Sequence, residues 1–130
     1  MARYLIDTHA WIEYFLGTTA GKRVKELLDD NKNAAFTAHS TIAEVFLWSL
    51  REEKMFSIAL EIILSKSTII EVSLNAWIEG AGHKHALQHG RRGFGLIDAL
   101  LLALGHHHNA VVVTGDPHFR GLPHVMHLNP

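Results

Sequence analysis

The chain has 130 residues, with 12 Lys and Arg against 13 Asp and Glu, a net charge of −1 and no cysteine. That length suits one domain over residues 1–130 with its own hydrophobic core. The near-neutral charge excludes a broadly basic nucleic-acid-binding surface, so a polyanion would need a local patch or a metal; the missing thiols exclude disulfides, cysteine catalysis and thiolate zinc sites.

Along the chain, Tyr4-Leu5-Ile6 reads as a short buried strand ending at Asp7. Thr8–Leu16 carries Trp11, Ile12, Phe15 and Leu16 at helical spacing and stops at Gly17. Lys22–Asp30 reads as a second short helix and Ala34–Ala38 as a strand. Ser40 or Thr41 is the expected cap of a helix running to about Glu53, and Phe56–Leu64 is a strongly apolar helical segment. Thr68–Val72 is β-branched and reads as a third strand, Leu74–Leu87 returns to helix, and Gly90–Gly95 is a loop rich in glycine and arginine. Leu96–His106 is helix, Ala110–Thr114 strand, and Val125–Leu128 a weak final strand. Met1-Ala2-Arg3 and the apolar run behind it are too short for a signal-peptide core, and no stretch reaches the ~20 apolar residues of a membrane span. A cytoplasmic protein without a membrane partner is expected. Among 11 histidines, His106-His107-His108 forms a run inside the chain, expected as a solvated helix end or an adventitious metal binder.

Strands alternating with helices predict an α/β fold with a parallel sheet covered on both faces. A parallel sheet brings its strand ends, and the starts of the helices packed on it, to one edge. Asp7 and Asp116 each end a strand, Glu44 lies about a turn into the helix after Ala34–Ala38, and Asp98 opens the helix Leu96–His106. Only a few residues join that helix to Ala110–Thr114, so the two must run antiparallel, and Asp98 is expected beside Asp116. Carboxylates gathered this way repel one another. A hard divalent cation such as Mg²⁺ or Mn²⁺ is the natural compensation.

Each acid also has a plainer explanation. Asp7 and Asp116 can cap the helical turns that follow them, Asp116 with Pro117 at the first helical position. Asp98 can cap if its helix starts one residue later. Glu44, set in Ile42-Ala43-Glu44-Val45-Phe46-Leu47-Trp48, must face either a cation or solvent, because an unpartnered buried carboxylate costs several kcal/mol. Capping and exposure together do not explain a shared edge, which favours the metal site. Asp29, Asp30, Glu52 and Glu53 read as solvated helix ends, and Glu13 as a surface residue that could rim the site. His83, Lys84, His85, His89, Arg91 and Arg92 precede Asp98 and read either as a polar connector or as a phosphate-contacting patch, with Arg91 and Arg92 its best members.

With these residues in place the chain resembles the PIN-domain nucleases, and among them the VapC-like toxins of toxin–antitoxin pairs. The likeness spans nearly the whole length through Leu5-Ile6-Asp7-Thr8-His9-Ala10-Trp11-Ile12-Glu13-Tyr14-Phe15, Thr41-Ile42-Ala43-Glu44-Val45, Gly95-Leu96-Ile97-Asp98-Ala99-Leu100-Leu101-Leu102-Ala103 and Val113-Thr114-Gly115-Asp116-Pro117-His118-Phe119. The resemblance implies a three-layer sandwich with a five-stranded parallel sheet and Mg²⁺- or Mn²⁺-dependent cleavage of RNA. It places the metal-binding acids at Asp7, Glu44, Asp98 and Asp116 and an orienting hydroxyl at Thr114. It further implies a homodimer and an antitoxin that inserts a segment into the active-site groove. Trp48, Phe46 and the Phe56–Leu64 helix could supply apolar contact surface, although core packing suits most of them better. The His106–His108 run and the histidine-rich stretch before Arg91 depart from the family's usual pattern without touching the four acids.

Three alternatives stand beside this reading. An aspartyl-nucleophile phosphatase would also place an acid at Asp7, but it wants a second Asp where His9 stands. A non-catalytic module could chelate transition metals through its histidine-rich segments. A PIN nuclease of RNA maturation would work without an antitoxin.

Overall fold

The computed structural model describes residues 2–88 and 90–129; His89, counted above in the basic stretch, lies outside them. Five strands form one sheet: β1 (Arg3–Ile6), β2 (Ala34–Ala38), β3 (Thr68–Ile70), β4 (Val111–Thr114) and β5 (Val125–His127). Their order is β3-β2-β1-β4-β5 and every pairing is parallel. Around the sheet stand α1 (Thr8–Leu16), α2 (Thr19–Asp29), α3 (His39–Arg51), α4 (Phe56–Lys66), α5 (Leu74–Leu87) and α6 (Leu96–His107), with a 3₁₀ turn at Pro117–Phe119.

Alternate strand residues feed two separate cores, because successive side chains leave a strand on opposite faces. Leu5, Ala38, Ile70 and Val112 pack with Ala76 of α5, with Ala99, Leu100, Leu101 and Leu104 of α6, and with Phe94 and Phe119. Ile6 and Val113 pack on the other face with Trp11 of α1, Val24 of α2, Val45 and Trp48 of α3, and Ile63 of α4. Each Val, Leu, Ile or Phe among them, fully buried, stabilises the fold by about 1.5–3 kcal/mol. The expected three-layer α/β sandwich with a five-stranded parallel sheet is the observed architecture. Among the described residues no helix is long and apolar enough to cross a membrane.

Several boundaries differ from expectation for local reasons. The second helix starts at Thr19 rather than Lys22, because the Thr18 hydroxyl accepts a hydrogen bond from the Gly21 N–H at 3.0 Å and caps it. Gly17, at φ 67°, ends α1 immediately before this cap, so two helices meet without a loop. Neither Ser40 nor Thr41 caps α3: the helix begins at His39 straight out of β2, with no side-chain cap, and both hydroxyls are buried without a hydrogen-bond partner among the described residues. It ends at Arg51, while α4 runs on to Lys66. Strand β3 stops at Ile70 because its partner β2 runs out at Ala38, and β5 stops at His127 because β4 ends opposite it at Thr114.

Candidate metal centre

Strand β1 leads outward to β2 and β3, whereas its other neighbour β4 leads to β5. At such a reversal the following segments part to opposite sides and open a crevice at the carboxyl ends of the two central strands. Asp7 directly follows β1 and Asp116 closely follows β4. Helix α6 turns back into β4 through a short link, which sets its first turn, with Asp98, beside the end of that strand. Glu44 comes from α3, the helix after β2.

Asp7 is only 4% exposed. One oxygen caps α1, accepting from the Ala10 N–H at 2.8 Å. Burial raises its pKa from 3.8 to about 7; the charges of Asp116 and Asp98 add to the rise, while hydrogen bonds from the Thr114 hydroxyl and Ala10 oppose it. Asp98 sits in the first turn of α6, where its Oδ2 accepts from the Gly95 N–H at 3.2 Å. Its pKa is raised too, first by burial and then by Asp116, against the Gly95 hydrogen bond and the positive charge of Lys84. Glu44 accepts from the Thr8 hydroxyl at 2.6 Å. Although that residue as a whole is exposed, protein crowding its carboxyl end raises its pKa, and the charge of Asp98 contributes.

Asp116 caps the 3₁₀ turn, accepting from the His118 N–H at 2.9 Å, and its own N–H donates to the Thr114 hydroxyl at 3.0 Å. The Thr114 hydroxyl therefore bears on both acids, opposing the pKa rise at Asp7 and accepting from the Asp116 N–H. The capping explanation and the clustering explanation both describe these aspartates. A cap uses one carboxylate oxygen, and Oδ1 of Asp98 and Oδ2 of Asp116 have no hydrogen bond among the described residues.

One member of the cluster was missed from sequence. His118 brings a ring nitrogen within 4.8 Å of carboxylate oxygens of both Asp98 and Asp116, and its Nδ1 stands 2.9 Å from Asp116 Oδ1. Its ring fills the space beside Gly93, where a Cβ would come within 2.7 Å of Nε2. Arg91 donates to the His118 carbonyl at 3.0 Å and so braces the turn, while Arg92 is exposed. Lys84 ties α5 to the loop through the Phe94 carbonyl at 3.0 Å. The remaining acids lie elsewhere: Asp29 pairs with Lys25 and Lys66, Glu13 accepts from Thr18, and Asp30, Glu52 and Glu53 are exposed. His9 packs its ring against Gly115, with Nδ1 buried and unpartnered among the described residues.

Three crowded carboxyl groups whose ionisation is opposed by burial and by one another are what a cation would relieve. Oxygen donors with at most one imidazole suit a hard divalent ion. The residues present fit such a metal.

The sequence pattern of the family described as PIN domain matches residues 4–125. No curated protein matches the chain. Among solved structures, a toxin–antitoxin complex from Klebsiella pneumoniae is similar at 25% identity and a TM-score of 0.68, over 96% of this chain and 97% of that one. VapBC2 from Rickettsia felis, solved with a DNA fragment from its promoter, gives 21% identity and a TM-score of 0.72 over 95% and 96%. The VapC20 toxin of Mycobacterium tuberculosis, described as cleaving the sarcin-ricin loop, gives 16% and 0.70 over 92% and 95%. The last two likenesses speak to fold alone.

Proposed function

The chain belongs to the PIN domain family, and on that premise we propose that it is a metal-dependent endoribonuclease, the toxin of a toxin–antitoxin pair, working in the cytoplasm as one domain over residues 1–130. The observation that carries this reading is the meeting of Asp98, Asp116 and His118 beside Asp7, from segments far apart in the chain. Bound Mg²⁺ or Mn²⁺ would lower the pKa of a coordinated water and neutralise charge on the phosphoryl oxygens.

Asp7 and Asp116 are the proposed direct ligands, with Glu44 and Asp98 as further ligands or as acceptors that orient a coordinated water. Thr114 fixes the Asp7 carboxyl, and His118 orients Asp116. Arg92, which is exposed, is the proposed contact to substrate phosphates, whereas Arg91 supports the loop through His118. The proposed antitoxin contact is an apolar groove of about 620 Å³ between α3 and α4, lined by Ile42, Phe46, Phe56, Leu60 and Leu64. Phe46 is 45% exposed there, while Trp48, also considered for this surface, is buried in the core. A homodimer is proposed on the same premise; Leu74, Trp77 and Ile78 of α5 face solvent and could supply its surface.

The test is incubation of purified protein with total RNA in Mg²⁺, Mn²⁺ or EDTA. Fragments are expected with either metal and none in EDTA, and Asp98→Asn should cut activity at least about 100-fold. Intact RNA in both metals, or undiminished cleavage by Asp98→Asn, would remove the proposal.

A further inference from the structure

We propose that Glu79, His106 and His107 form a second cation site, for a borderline divalent ion such as Zn²⁺, Co²⁺ or Ni²⁺, at the far end of α6 from the acidic cluster. The three side chains come from two helices that are tightly packed: a Cβ on Gly80, beside Glu79, would lie 3.0 Å from the Leu100 backbone. That contact leaves little freedom for α5 to shift against α6, which is the rigidity a metal site needs.

Both histidines converge on one carboxylate. His106 Nδ1 is 3.2 Å from Glu79 Oε1, and His107 Nε2 is 3.0 Å from Glu79 Oε2. Successive helical residues normally diverge; here one ring uses its near nitrogen and the other its far nitrogen, with centroids 5.9 Å apart. A ligand atom from each residue falls within 4.8 Å of the other two. Around a four-coordinate ion with bonds of about 2.1 Å, ligand atoms stand roughly 3.4 Å apart.

A plain imidazole–carboxylate pair does not account for the contact to His107. Glu79 Oε2 is buried and accepts no hydrogen bond among the described residues, so the His107 ring N–H is not aimed at it despite the short approach. A buried carboxylate oxygen without a partner costs free energy. An ion between these atoms would satisfy it and use the imidazole lone pair instead of its proton. Two imidazoles with one carboxylate favour Zn²⁺ or its neighbours over Mg²⁺. A cavity of about 550 Å³, lined by Glu79, His83 and His106, adjoins the site and leaves room for a water or for His83 as a further ligand.

The experiment is calorimetric titration of Zn²⁺, at pH 7.5, into metal-stripped full-length protein carrying Asp98→Asn and Asp116→Asn, so that the acidic cluster does not compete. One equivalent should bind, and Glu79→Gln and His107→Gln should each weaken it about tenfold or more. Co²⁺ should give visible absorption bands that vanish in both variants. Zn²⁺ should raise the melting temperature of the background protein and not that of the variants. Matching melting temperatures in EDTA would show that ligands, rather than the fold, were lost. No Zn²⁺ equivalent in the background protein, or equal affinity after both substitutions, would overturn the proposal.

Discussion

Burial and two neighbouring carboxylates lift the Asp7 pKa from 3.8 to about 7, so the folded chain keeps a proton there over a range in which the unfolded chain has lost it. Stability then falls as pH rises across that range, because the native state binds more protons than the unfolded one. The penalty is absent below about pH 4 and complete above about 7, where it reaches about 4 kcal/mol in metal-free protein. Urea unfolding in EDTA should therefore show Asp7→Asn more stable than the parent at pH 8 and indistinguishable from it near pH 4. A constant difference across pH would contradict the assigned shift. Mg²⁺ should narrow the gap at pH 8, since it favours the ionised carboxylate. Thr114→Val should lower RNA cleavage about tenfold or more with little change in KM, and Thr114→Ser should restore most of it, because the hydroxyl and not the methyl holds Asp7 and Asp116. The positions of Asp7, Asp98 and Asp116 could be read from strand ends and a short helix–strand link, since connectivity alone brings those points together. His118 could not: its approach depends on the 3₁₀ turn that Asp116 caps, and on the glycine that makes space for its ring.

Elements with strong periodicity were legible and their ends were not. Helix α6 and strands β1 and β4 fall close to where apolar spacing puts them, because each is set by burial against the sheet. Helix α2 starts earlier than its charged residues suggest, since its start is decided by the Thr18 cap and by close contact with α1. That contact yields a test. A Cβ at Gly21 would fall on the Glu13 backbone carbonyl, with no flexible side chain to move aside. Gly21→Ala should destabilise the fold by about 3 kcal/mol in urea titration, although alanine is the better helix former. A change below about 0.5 kcal/mol would mean that α1 and α2 sit further apart than described. Strands β3 and β5 end sooner than their apolar runs, because strand length depends on the neighbour's end, which a single segment does not reveal.

For the whole molecule, alternating strands and helices were enough to give a parallel sheet with helices on both faces, and the two cores follow from residues of opposite parity on each central strand. What the pattern could not separate was core from contact surface. Trp48 and Phe46 are near neighbours on α3, yet one is buried and the other lies in the α3–α4 groove. An apolar groove left open should bind a hydrophobic dye such as anilinonaphthalene sulfonate, and Phe46→Glu should reduce that signal while leaving RNA cleavage intact. Unchanged dye binding would locate the sticky surface elsewhere. Helix α6 adds a consequence of its own. From Asp98 to His107 it advances about 13 Å at the usual helical rise. That span exceeds the Debye length of about 8 Å in physiological salt. The helix is thus a fixed ruler: ions at its two tips could be loaded and exchanged independently. Paramagnetic ions placed at both tips would report their spacing through dipolar coupling in electron spin resonance.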